Sequence, residues 1–318
     1  MKQRLFDLTY PIWQAPTGSI AGPELAAAVS AAGGMGAMAL TWATPEQAAA
    51  QIAQVRAQTA NPFQVNFALA FPPHALSAAL EAGAPIVTFS WGDPLPYLAQ
   101  VRAAGAKLGV QVTNVEGACR MAQLGVDFLI CQGIEAGGHV QSTQPLLSVL
   151  PEVIAASEGV PVIAAGGIGD GLGIAQALSF RAAGAMLGTR FVATQESRAH
   201  PDYKARLVAA QADETALTVC FDGDWPYAAH RVLRNYTLEL WEAFGCPPVG
   251  ARPGEGEVVG ANASGDPILR YADTAPRQGF TGDIAAMCQY AGTGCAAIRD
   301  IPSAADLLPR LWEETRRF

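Results

Sequence analysis

The sequence predicts an α/β chain folded as a (β/α)8 TIM barrel with a smaller C-terminal lid or substrate segment appended, and three observations carry that prediction. Eight short apolar runs recur, at residues 11–16, 35–40, 63–69, 86–91, 107–112, 128–133, 161–167 and 185–191. They begin roughly 20 to 30 residues apart, each followed by an Ala/Leu/Glu-rich stretch of helical spacing, which is what one strand, one helix and two loops occupy. The runs are continuously apolar rather than alternating, as strands buried on both faces of a helix-covered parallel sheet must be. A doubly wound open sheet obeys the same rules; the count of eight favours the closed form.

Each element has its own justification. The first run, PIWQAP, lies between two prolines. The second follows residues 25–45, an uncharged stretch long enough to cross a bilayer. Gly33, Gly34 and Gly36 interrupt it, so residues 26–30 read as a helix end, the glycines as a turn and residues 35–40 as a buried strand. The third run carries Asn66 in QVNFAL, and the fourth ends SWGDP, where Asp93 before Pro94 starts a turn. The sixth ends CQGIEAGGHV, the seventh AAGGIGD and the eighth MLGTRF. Beyond Phe191 the pattern changes: residues 199–212 read as a polar helix, 251–277 are rich in Gly, Pro and Asp, and 281–291 and 303–317 return to helical patterning. The expected division is a barrel over 1–211, a lid or substrate segment over 212–279, and C-terminal helices over 280–318 packing back on the barrel.

Composition narrows the function. Of 318 residues, 50% are hydrophobic and 15% charged, so the chain buries a core; 20 Lys and Arg against 28 Asp and Glu give a net charge of −8. Such a surface repels nucleic acid and anionic lipid, so neither is expected as a partner. Six scattered cysteines form no CxxC pair, so neither structural zinc nor a disulfide scaffold is expected, and no metal site is assigned. The N-terminal MKQRLFDLTYPIW lacks a signal-type apolar region, which makes the expected location cytoplasmic. P-loop, GxSxG, HExxH and EF-hand patterns are absent.

In a barrel the chemistry gathers where the strands end. The sixth loop places Gln132, Glu135, Gly137, Gly138 and His139 together: paired glycines admit a flat or charged ligand close to the backbone, and an imidazole acts near neutral pH. Gly166, Gly167, Gly188 and Thr189 end the seventh and eighth runs, the pair of strands after which barrels commonly bind phosphate. Asn66 offers an amide to a heteroaromatic edge. Trp91, Trp225 and Tyr227 are candidate pocket walls. His74 reads as a loop or helix-start residue, His200 as preceding or capping a helix, and the HRVLRN segment at His230 as packing on the barrel.

Taken together, PIWQAP, VNF, QGIEAGGH, VPVIAAGGI, GTRF and ESRAHPDYK resemble the nitronate monooxygenase family, formerly called 2-nitropropane dioxygenases, over most of residues 5–240. The EAGGH loop is shared with FMN-dependent enoyl-ACP reductases and some NADH:quinone reductases. The resemblance implies FMN held by Asn66, Gln132, Gly137, Gly138, Gly167, Met186, Leu187, Gly188 and Thr189, with Gly167, Gly188 and Thr189 facing the phosphate and His139 as the catalytic residue over the flavin. It implies oxidation of an alkyl nitronate, or of a nitroalkane, with O2 to a carbonyl compound and nitrite, with His139 hydrogen-bonding the substrate or taking its proton, and leaves room for a homodimer. The alternatives are an NAD(P)H-dependent FMN reductase acting on an enoyl thioester or quinone, and a flavin-free phosphosugar enzyme using the same phosphate loops. Thr17 stands where the family usually has Met, and SWGDP departs from the usual fourth turn; both bear on the substrate more than on the cofactor.

Overall fold

The protein, seen here as a computed structural model, is described over residues 5–223, 225 and 227–318. Eight parallel strands form one sheet: β1 (Ile12–Gln14), β2 (Gly36–Ala39), β3 (Phe63–Ala68), β4 (Ile86–Ser90), β5 (Lys107–Val112), β6 (Phe128–Gln132), β7 (Val162–Ala165) and β8 (Gly184–Leu187). Each pairs with the next from β2 to β8, and β8 pairs back onto β1.

The seam between β1 and β2 decides between barrel and open sheet. Trp13 stands opposite Met35 in a parallel bridge. The Gln14 N–H donates to the Met35 carbonyl at 2.9 Å, and the Met35 N–H to the Ile12 carbonyl at 3.0 Å. The Gln14 side chain extends the seam: its Oε1 accepts the Ala37 N–H at 2.7 Å, and its Nε2 donates to the Ala37 carbonyl at 3.1 Å. An amide side chain thus substitutes for backbone pairing where the three-residue β1 runs out. The sheet closes into a barrel.

Its strands separate two apolar layers. Trp13, Met35, Ile86, Phe128, Ile130, Ile163 and Met186 pack together inside, and Phe6, Trp13 and Phe128 bring their ring centroids within 5.1–5.9 Å of one another. Leu25, Met38, Phe63, Val65, Phe67, Val87, Leu129 and Leu187 belong to the core between strands and helices. Each such fully buried side chain contributes about 1.5–3 kcal/mol relative to exposure.

Helices Pro23–Ala31, Pro45–Gln58, Leu76–Glu81, Leu98–Ala103, Val115–Gln123, Leu146–Ala156 and Gly171–Ser179 follow β1 to β7 in turn. Several starts are written locally. Thr44 and Gln47 cap each other's backbone N–H groups, and Asn114 and Asp170 accept from Gly117 and Gly173. After β8 the chain forms only the four-residue helix Thr189–Val192. The eighth outer position is filled by the last helix, Ala304–Thr315, which packs against both Pro23–Ala31 and Gly171–Ser179 through its Leu307, Leu308 and Leu311 stripe.

The intervening chain holds helix Pro201–Ala209 and two small antiparallel sheets. In one, His230–Leu233 lies between Thr215–Thr218 and Gly138–His139; in the other, Val258–Ala261 lies between Pro267–Leu269 and Thr281–Gly282. The helix expected over 281–291 is therefore corrected. Gly282, at φ 101°, lies so close to Gly260 that a Cβ would sit 2.5 Å from its Cα, and Tyr290 bridges to Val232. Backbone groups that a helix would use internally are spent on these neighbours. Among the described residues no helix is long and apolar enough to cross a membrane, the six cysteines are free, and no His, Cys, Asp and Glu group is arranged for a metal ion.

Candidate active site

A cavity of about 480 Å³ opens where the strands end, and it is lined by Asn66, Gln132, Gly137, Gly138, His139, Gly167, Met186, Gly188 and Thr189. Nine of the ten residues that the resemblance assigns to FMN and catalysis thus converge on one space. Leu187 does not line it: alternation along β8 turns its side chain into the helix-facing core, fully buried, while its carbonyl accepts the Ala15 N–H.

The strand ends are tied to one another before any ligand is considered. Asn66 donates from Nδ2 to the Thr88 carbonyl and hydroxyl at 3.2 and 3.1 Å. Gln132 latches the sixth loop, donating to the His139 carbonyl at 3.2 Å and accepting the Gln141 N–H at 2.9 Å. Gln141 in turn accepts from Gln111 and from the Trp91 N–H. Glu135 accepts the Leu146 N–H at 2.9 Å, fixing where the next helix starts. Gly137 owes its lack of a side chain to protein rather than ligand: a Cβ there would meet the Gly292 nitrogen at 2.4 Å. Gly167 adopts φ +70°, and a Cβ would come 2.8 Å from Glu135 Cβ. The Thr189 hydroxyl accepts the Gly292 N–H at 2.9 Å, so the eighth strand's end is fastened to a segment a hundred residues away.

His139 sits in the two-residue strand paired with His230. Its ring stacks on Trp225 with centroids 4.3 Å apart and a 26° interplanar angle, while Trp91 and Tyr290 approach at 6.2 and 5.7 Å. Its Nε2 is buried with no hydrogen-bond partner, as is the Thr17 hydroxyl. Burial, and secondarily the neighbouring His230, pushes the His139 imidazole down to about 3, so the ring is neutral near pH 7. His230 uses both ring nitrogens: Nε2 accepts the Phe221 N–H at 3.2 Å and Nδ1 lies 2.9 Å from the Ala228 carbonyl. One imidazole therefore clasps both ends of the loop that carries Trp225.

Several lining residues escaped the sequence reading. Tyr203, Asp273, Thr274, Tyr290, Gly292 and Gly294 all reach the cavity from the chain beyond β8. Tyr203 lies in the ESRAHPDYK motif, and the others had only a compositional signal, since that region lacks barrel periodicity. Of the aromatic candidates, Trp91 and Trp225 line the cavity, whereas Tyr227 is 91% exposed and does not. His200 caps helix Pro201–Ala209 through Nδ1, and Lys204 is buried with Nζ donating to the Thr194 and Ser197 carbonyls, both at 2.7 Å. The conspicuous ESRAHPDYK segment is thus held together by its own side chains.

A family model described as nitronate monooxygenase matches residues 1–79 and 73–314. The chain is 33% identical to a nitronate monooxygenase of Pseudomonas aeruginosa, over 98% of both chains. Among solved structures, FabK from Thermotoga maritima superposes with a TM-score of 0.83 at 28% identity, over 98% of this chain and 94% of that one. A nitroalkane oxidase from Streptomyces ansochromogenes gives 0.79 at 29% identity, over 98% and 97%.

Proposed function

This chain belongs to the nitronate monooxygenase family and is an oxidoreductase, and from that premise we propose that it oxidises alkyl nitronates on bound FMN, with O2 as oxidant, to a carbonyl compound and nitrite. The observation that carries the reading is the buried, unpartnered His139 Nε2 in the same cavity as the glycine-edged ends of β7 and β8.

The residues present fit FMN. The cavity has the size usual for a small-molecule or cofactor site. Gly188 needs no special backbone angle, and a Cβ there would meet only Ala15 and Thr17 at 3.5 Å, so protein packing does not explain that glycine; a ligand edge does. Gly167, Gly188 and Thr189 would hold the phosphate, and Asn66, Gln132, Gly137, Gly138 and Met186 the ring system. Bound there, FMN supplies the electron transfer between substrate carbon and dioxygen.

The chain's own contribution is binding, orientation and exclusion of water. A nitronate arrives already deprotonated, so the neutral His139 is asked to donate a hydrogen bond to a nitro oxygen, not to remove a proton from carbon. An imidazole held near 3 is a weak base, which favours the nitronate over the neutral nitroalkane. Trp225 and Trp91 cover the ring and keep water from it.

The likeness to FabK favours a second reading, an NAD(P)H-dependent reductase. Anaerobic stopped-flow absorbance separates the two. Flavin bleaching by ethylnitronate with indifference to NADH and NADPH is the expected result; rapid bleaching by either pyridine nucleotide overturns it. His139→Asn is expected to keep FMN and lose about 100-fold or more in nitronate turnover, and full activity removes His139 from the mechanism.

A further inference from the structure

We infer that the substrate end of this cavity is built for a flat, uncharged aromatic substituent, an inference that rests on the nitronate reading and names the class of nitronate. Four rings from four separate loops stand in edge-to-face sequence. Trp42, after β2, meets Phe71, after β3, at 5.6 Å; Phe71 meets Trp225 at 5.1 Å; Trp225 meets Trp91, after β4, at 4.7 Å; and Trp225 continues onto His139. All four line the cavity, and the row ends at the unpartnered Nε2.

Packing does not account for this wall. Trp42 is 61% exposed and contributes little to any core, yet it stands at the cavity rim with its ring against Phe71. Trp91 holds φ 60°, a left-handed conformation that a bulky residue rarely adopts and that persists at ligand sites when the surroundings impose it. Its N–H is fixed by Gln141 and its ring by Trp225. A row of ring faces and edges offers a flat apolar group stacking and edge contacts that a short alkyl chain cannot fill.

Charge sets the other limit. Among the described residues lining the cavity there is no Lys or Arg, and the one carboxylate is Asp273. Along the aromatic row, apart from the Gly167, Gly188 and Thr189 backbone assigned to the FMN phosphate, a substrate carrying a second negative charge, a carboxylate or phosphate beside the nitronate, would meet rings and lose its hydration without gaining a cation. The wall therefore selects for an aromatic body and against an additional anion, with the nitronate carbon at the His139 end.

The test is steady-state kinetics of the FMN-loaded protein with ethylnitronate, the nitronate of phenylnitromethane and the nitronate of 3-nitropropionate. The phenyl compound is expected to show kcat/KM at least tenfold above ethylnitronate, and the carboxylate-bearing compound at least tenfold below it. Trp42→Ala, at an exposed position, is expected to shrink the phenyl-to-ethyl ratio at least fivefold, through KM for the phenyl compound; Phe71→Leu should shift it in the same direction. Preference for the carboxylate-bearing nitronate, or an unchanged ratio in both variants, overturns the inference. Isothermal titration with 2-naphthol reads the wall without turnover: Trp42→Ala should weaken binding at least fivefold, and equal affinity overturns it. If no nitronate is oxidised while 2-naphthol binding falls as expected, the nitronate reading fails and the aromatic wall stands.

Discussion

At the scale of single residues, burial changes the ordinary behaviour of groups in the candidate site. The His139 imidazole, pushed to about 3 by burial first and by His230 second, titrates near 6.5 in the unfolded chain. Between those values the unfolded state binds a proton that the folded state refuses. The residue's contribution to stability is therefore complete above about pH 6.5 and is lost progressively as pH falls toward 3. Urea unfolding of wild type and His139→Asn across pH 3–7.5 should show a stability difference that changes over this window, by at most about 1.4 kcal/mol per pH unit, and is level above it; a difference constant from pH 3 to 7.5 contradicts the burial argument. The glycines separate in the same spirit. Gly167→Ala forces a side chain into left-handed backbone and against Glu135, and should cost about 1–3 kcal/mol of stability. Gly188→Ala meets only ordinary contacts, so its unfolding midpoint should barely move while FMN affinity, read by fluorescence titration, falls tenfold or more. Equal destabilisation by the two would place Gly188 among the packing glycines.

At the scale of elements, the β1–β2 seam is the barrel's least paired junction, and Gln14 carries much of it. Gln14→Leu keeps bulk but leaves the buried Ala37 N–H and carbonyl without partners, each worth about 1–3 kcal/mol when orphaned. A loss of about 2–4 kcal/mol in urea unfolding is expected, and a change under 0.5 kcal/mol would show that the backbone bonds alone close the ring. This junction also shows how sequence and structure divide the work. The strand runs were legible because apolar residues had nowhere else to go, and Asn66, Gln132 and His139 because they end those runs. Gln14 sits inside PIWQAP as one polar residue among apolar ones, and nothing local says that its amide reaches Ala37, 23 residues on. The helix expected over 281–291 failed for the same reason: apolar spacing there serves contacts with Gly260 and Val232.

At the scale of the whole molecule, the chain leaves the barrel after β8, covers the open end, and returns to supply the outer helix that completes the ring. One ionic cluster fastens the return. Arg190, only 3% exposed, reaches Asp300 at 3.3 Å and donates to the Ala193 and Asp300 carbonyls; Arg310 on the last helix donates to the same carboxylate at 2.9 Å. Burial pulls the Arg190 guanidinium down to about 10, which leaves it charged at neutral pH and dependent on Asp300. Asp300→Ala should cost about 2 kcal/mol or more by stranding that charge, whereas Arg310→Ala, which removes a half-exposed cation, should cost under about 1 kcal/mol. Comparable losses in chemical denaturation would mean that the cluster is screened by solvent and holds nothing.

Eight continuous apolar runs, their spacing and the residues that end them determined the barrel and part of the cavity from sequence alone, because burial and turn chemistry are local demands that each segment must meet by itself. The tertiary structure alone decided the rest. Asp273, Tyr290, Gly292 and Thr274 reach the cavity only because the chain beyond β8 folds back over the strand ends, and His139 becomes buried, neutral and unpartnered only when Trp225 and His230 close around it. Those properties belong to contacts between segments far apart in the chain, and no periodicity within either segment encodes them.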